Sequence, residues 1–242
     1  MSQANNQWGI ELNGPEEDQK VWQMLLKPPF DPFVEEVQKE GGNYLALRSC
    51  AFDSLTTAAQ VHEAGKRLFS TLNVAMSKNA DTDPVTDGAV IEFVANSLPR
   101  KHHFAEGLEY STMRARFGIV TLTTTDAQGN VIDPPQVPSW AQQWMRAAAL
   151  ESEIGSALGY LEGKPGWVEL YKAYEALRDM PNGGLSKSDI KRFTQTANAG
   201  ERHHPNDKTK PHKRPMELWE ARTFITKWVS AAIDDILAKN PM

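Results

Sequence analysis

The chain reads as an α+β half followed by a helical half. Two observations carry that reading. Apolar residues alternate or run in short blocks up to about residue 125 and recur at three- and four-residue spacing after Pro138. Between the two textures lies Asp133-Pro134-Pro135 through Pro138, a linker-like stretch. The expected division is therefore residues 1–137 and 138–242.

In the first half, Trp8, Ile10 and Leu12 alternate with polar residues as in a half-buried strand. Gly14-Pro15 breaks the chain, and Glu16, Glu17 and Asp18 suit the first turn of a helix whose apolar face is Val21, Trp22, Leu25 and Leu26. Pro28-Pro29 ends it. Phe33, Val34 and Val37 form a second strand and Tyr44 to Leu47 a third, paired as a hairpin. Asp53 or Ser54 is the expected cap of a long helix over about 54–77, with Leu55, Ala58, Val61, Leu68, Leu72 and Met76 on its apolar stripe. A strand over 89–94 follows, then the basic piece Arg100-Lys101-His102-His103, expected as a surface turn, and a strand from Met113 to Thr125. The order β-α-β-β-α-β is that of the ferredoxin-like split βαβ, so a ferredoxin-like or related two-layer domain is expected.

In the second half, Ser139 caps a helix carrying Trp140, Trp144, Ala147, Ile154 and Leu158. Trp167, Leu170, Tyr171, Tyr174 and Leu177 mark a second helix, and Ser186 caps a third through about Asn198. Pro215 opens the last, to about Lys239, with Leu218, Ala221, Ile225, Val229, Ala232 and Ile236 on one side and Trp219, Phe224 and Trp228 widening it. Short connections between them predict a bundle. The tryptophans, Trp219 included, fall at helical spacing and are expected in its core. A closing helix with so wide an apolar face also suits a homodimer.

The composition is ordinary for a globular protein, with 40% hydrophobic and 24% charged residues in 242. No apolar run is long enough for a membrane span and the first residues lack a secretory pattern, so a cytoplasmic protein is expected. The single cysteine, Cys50, excludes an internal disulfide and a cysteine zinc cluster. It reads as a small core residue at a strand end. There is no GxxxxGK[ST], no GxGxxG after a strand, no HExxH and no GxSxG, and no cofactor is expected.

One stretch stands apart. Ser186 to Met216 holds eight Lys/Arg against three Asp/Glu, a charge of +5 on a chain of −5, and three of the six histidines. Arg202, His203, His204 and His212 are the residue types that metal-free RNA cleavage uses, with histidines as base and acid and an arginine for the phosphate. Lys191, Arg192, Lys208, Lys210, Lys213 and Arg214 suit a phosphate backbone. RNA is thus the expected partner of this loop. The rival is a non-enzymatic interaction or scaffolding role, in which the loop is a solvated face. A divalent metal on His203, His204, Asp207 and His212 is a weaker alternative, since the spacing matches no established site.

The phrases WVELYKAYEALR, FTQTANAGERHH and PMELWEARTFITKWV resemble the C-terminal part of a family of uncharacterised bacterial proteins, and WGIELNG and NYLALRS are similar to the same group. The helical half also loosely resembles HEPN domains, helical bundles that often act as metal-independent ribonucleases. That resemblance implies RNA cleavage in a stress or phage-defence setting. The HEPN signature places a histidine four to six residues after an arginine. Here His203 and His204 follow Arg202 directly and His212 lies beyond that spacing.

Overall fold

The computed structural model describes residues 7–38, 42–94, 97–104, 136–201 and 212–241. Its first half is a five-stranded antiparallel sheet. The strands are β1 (Trp8–Asn13), β2 (Phe33–Val37), β3 (Tyr44–Arg48), β4 (Thr86–Glu92) and β5 (Arg100–His102), in the order β2-β3-β1-β4-β5. β1 is central, pairing Ile10 with Leu47 on one side and with Val90 on the other. Because β1 and β2 both run antiparallel to β3, they are parallel to each other and split by it. β3 and β4 are split by β1 in the same way. This is the ferredoxin-like order expected, with β5 added at the β4 edge. The basic piece 100–103 is therefore an edge strand through His102 and not a surface turn: Val90 pairs with His102 and Glu92 with Arg100. The strand expected over 113–125 lies outside the described residues.

Two helices, α1 (Glu16–Leu25) and α2 (Ala58–Asn79), cover one face of the sheet. Trp22 of α1 stacks on Phe69 of α2 with centroids 5.4 Å apart. Ile10 lies so close under Gly65 that a Cβ there would collide with its Cδ1, so α2 approaches the sheet at a residue without a side chain. α2 begins later than the sequence suggests. Ser49 accepts from Ala51 N and caps a 3-10 turn at Cys50–Phe52, which occupies the chain first. Thr57 then forms a reciprocal capping box with Gln60, while the Leu55 carbonyl accepts from the Trp8 indole at 2.9 Å. Cys50 is exposed on that turn rather than being a core residue.

The second half contains α3 (Trp140–Leu150), α4 (Ser152–Tyr160), α5 (Trp167–Leu177), α6 (Lys187–Thr196) and α7 (Leu218–Lys239). The helix expected to run unbroken from Ser139 is divided at Glu151, whose extended backbone (φ −132°, ψ 111°) turns α4 toward α5 and α2. The aromatic residues of α5 pack into the bundle core as expected. Tyr174 meets Phe193 at 5.6 Å and Trp228 edge-on at 5.6 Å, and Phe193 stacks on Phe224 at 5.4 Å.

α2 joins the halves. Leu68, Leu72 and Met76 belong to the sheet core, and Val74 and Ala75, on its other side, belong to the helical core. Gln142 of α3 makes a second join. Its amide nitrogen, buried at 2% exposure, donates to the carbonyls of Lys27, Phe30 and Pro32 at 2.9–3.0 Å. Its oxygen accepts from Ser139 N at 3.0 Å. The irregular loop between α1 and β2 thus has its carbonyls satisfied by a side chain from the other half. Replacing Gln142 with Leu should leave the buried Pro32 carbonyl, and that of Phe30, without their side-chain donor, while Lys27 O keeps Phe30 N. The expected loss of Tm is roughly 5–10 °C by differential scanning calorimetry, from an unsatisfied-group penalty of about 1–3 kcal/mol.

Candidate nucleic-acid interface

The basic segment is held at both ends by the bundle. α6 starts at Ser186, whose hydroxyl accepts from Asp189 N, and runs past Thr196 into a π-helical turn, Ala197–Glu201. The chain returns at His212 and enters α7, whose first turn is organised by Glu220 accepting from Glu217 N at 2.8 Å. α7 therefore begins at Leu218, three residues after the expected Pro215, because the Glu217–Glu220 pair and not the proline sets its start.

Arg192 closes the base of the segment. Its Nε donates to the Arg214 carbonyl at 2.9 Å and its terminal nitrogens to the Pro215 carbonyl at 3.0 Å and to both Glu220 oxygens at 2.7 and 3.4 Å. One turn later, Thr196 Oγ1 donates to the Arg192 carbonyl and accepts from Met216 N at 2.9 Å. Met216 itself is buried in the bundle core. His212 Nδ1 lies 3.1 Å from Arg214 N and 2.8 Å from Arg214 O, so in either tautomer this nitrogen serves the backbone and Nε2 is the one left for chemistry.

Besides His212, held to the backbone through Nδ1, the predicted site residues fall into three groups. Arg192 is committed to its own loop. Lys191, Lys213 and Arg214 are exposed, as is Lys187 on the same face of α6 as Lys191. Among the described residues none of these four cations has an ion-pair partner. Arg202, His203, His204, Asp207, Lys208 and Lys210 lie outside the described residues. Among the described residues no cluster of three or more His, Cys, Asp or Glu is placed to hold a metal.

Trp219 is the residue that sequence reasoning misplaced. Helical spacing put it in the core, yet it is 67% exposed in the first turn of α7, five residues after Arg214. Ala221, Ile225 and Trp228 define the buried side of α7, and a step of one hundred degrees per residue sets Trp219 opposite them. A helical wheel centred on those three residues would have revealed it. The apolar stripe is narrower than a count of hydrophobic residues implies.

Of the other described histidines, His103 is exposed after β5, and His62 and His102 sit at the β4–β5 side of the sheet. His62 Nε2 lies 3.0 Å from Asp87 and its ring stacks on Phe104 at 4.2 Å. His102 lies 3.2 Å from Glu92. Both are paired with carboxylates and distant in the chain from the basic segment.

No protein-family model, curated protein or solved structure matches this chain. Among the described residues, no helix is long and apolar enough to cross a membrane.

The base of the segment is itself testable. The Glu217 N–H and the Arg192 guanidinium hold the Glu220 carboxyl below the ordinary value of 4.5. A carboxyl with a depressed folded pKa stabilises the protein above its unfolded value and loses that contribution as pH falls through the folded value. Glu220→Gln should therefore flatten the fall in Tm below pH 4.5 while changing its slope little at neutral pH. Arg192→Ala should lower Tm at pH 7 by roughly 3–6 °C, and Arg192→Lys should recover less than half of that, since a lysine cannot span two carbonyls and a carboxylate at once.

Proposed function

We propose that the face formed by α6, the basic segment and the start of α7 binds single-stranded nucleic acid, RNA foremost. The observation that carries this reading is an exposed tryptophan five residues after Arg214, with exposed Lys187, Lys191, Lys213 and Arg214 that have no ion-pair partner among the described residues. Lysine and arginine neutralise phosphates without regard to sequence, and an exposed indole offers a stacking surface to an unpaired base. Lys191, Lys213 and Arg214 take phosphate contacts in this reading, joined by Lys208 and Lys210 from the segment between them. Arg192 contributes by holding that segment's two ends together. A duplex would hide its bases from Trp219, which is why single strands are favoured.

RNA cleavage is the finer form of the same reading. It requires Arg202, His203 and His204 to supply the cation, base and acid around a 2′-hydroxyl, with His212 acting through Nε2. The HEPN resemblance points the same way, and with it a role in bacterial stress or phage defence. Binding stands without it.

A labelled single-stranded oligouridylate should bind at low salt, with log K falling against log salt at a slope of about −2 to −3.5, the value for three to five phosphate contacts. Lys213→Glu/Arg214→Glu should weaken binding by roughly tenfold or more and leave Tm unchanged, and Trp219→Ala should cost about 1–3 kcal/mol. Absence of any retention at low salt would end the reading. Incubating the same RNA with chelator, alongside an Arg202→Ala/His203→Ala/His204→Ala variant, then decides whether bound RNA is cut.

A further inference from the structure

A second concave site lies where the two halves meet. The loop from α1 to β2, the 3-10 turn after β3, Leu68 of α2 and one side of α3 enclose a cleft of about 350 Å³. Its walls are mainly apolar, formed by Phe30, Pro32, Leu68, Met145 and Ala149. That volume falls at the lower end of the range for small-molecule sites, which are typically apolar with a few placed polar groups.

Most polar groups on the walls are already used by the fold. Asp31 accepts from Ser49 Oγ at 3.1 Å and from Cys50 N at 2.6 Å. The Gln142 amide is taken by its three carbonyls and Ser139 N. Gln143 donates to Pro138 O at 3.1 Å. Although Cys50 is exposed, partial desolvation in the cleft wall and the neighbouring Asp31 push its thiol up to about 11, so it stands at the cleft as a neutral group.

Arg146 differs. Half-buried at the cleft, it donates from one terminal nitrogen alone, to the carbonyls of Asn240 and Pro241 at 2.6 and 3.2 Å. Its Nε and other terminal nitrogen have no hydrogen-bond partner among the described residues. A guanidinium with donors to spare beside an apolar cavity is matched by an amphiphile carrying a carboxylate, whose two oxygens meet adjacent N–H groups. A neutral apolar guest would leave those donors unused, and a polyanion would have to bury charge against Phe30 and Leu68.

We propose that this cleft binds a small monocarboxylic acid with an alkyl or aryl body, its carboxylate on Arg146 and its body against Phe30, Leu68 and Met145. The site is separate from the basic segment, and its occupancy makes no demand on the nucleic-acid reading.

Octanoate and octanol form a matched pair of probes, titrated into the full chain by isothermal calorimetry. Octanoate should bind with an affinity about tenfold or more above that of octanol. Arg146→Met should remove that preference while octanol binding persists, which also shows that the variant's cleft is intact. Ala149→Trp, at an exposed position on the wall, should abolish binding of both without lowering Tm. The proposal is overturned if octanoate shows no binding at millimolar concentration, if octanol binds equally well, or if Arg146→Met leaves the preference for octanoate in place.

Discussion

α2 is buried on two sides, and the rest of the molecule follows from that. A helix against a sheet ordinarily keeps one face in water. Here the stripe through Val61, Gly65, Leu68, Leu72 and Met76 seals the sheet, while Val74 and Ala75 enter the bundle. The requirement for apolar residues on both sides near its C-terminal end fixes where the helical half can dock. It also fixes α4, which touches α2, and through α4 the positions of α5 and α7. The basic segment and the Arg146 cleft are both placed by this chain of contacts, although neither includes much of α2 itself.

The irregular segments are positioned by a different device. In each, one donor-rich side chain satisfies the backbone carbonyls that regular structure would have paired. Gln142 does this for the loop between α1 and β2, and Arg192 for the residues entering α7. The two cases differ in chemistry. An amide offers two hydrogens to three carbonyls and can be fully buried without a charge penalty. A guanidinium serves two carbonyls and keeps donors for Glu220, which also draws in the N–H of Glu217. The result is a latch in which one carboxylate fixes both a helix start and a neighbouring helix.

Much of the fold was legible because the periodicities are strong. Alternation of Trp8, Ile10 and Leu12 located the central strand, and the β-α-β-β-α-β order led to the ferredoxin-like strand order found in the sheet. Element starts were less legible wherever several polar residues compete as caps. Ser49, Asp53, Ser54 and Thr57 are all chemically able to cap, and what selects Thr57 is Gln60 three residues on, together with the 3-10 turn held by Ser49. The same competition hid the start of α7, where Pro215 is the conspicuous residue and the Glu217–Glu220 pair the effective one. β5 was unreadable because Arg100, Lys101 and His102 carry no apolar alternation. Lys101 gains its place from Glu11 at 2.7 Å and from the Tyr44 ring at 3.7 Å, contacts made across the sheet.

The candidate site shows the limit of charge counting. Six of the eight cations in the segment were expected to hold a phosphate backbone, yet their value depends on what each already holds. Arg192, the most highly coordinated of the described ones, is the least available, because releasing it would expose two carbonyls and a carboxylate at the base of the segment. Lys191, Lys213 and Arg214 owe their availability to that commitment. With the ends of the segment tied, exposed side chains can carry charge without also having to hold the chain together. Trp219 follows the same logic from the apolar side: the core of α7 is completed by Ala221, Phe224, Ile225 and Trp228, so the indole is surplus to packing. Leaving so large an apolar surface in water is unfavourable unless something covers it. The proposed stacking of a base on the ring would supply that cover.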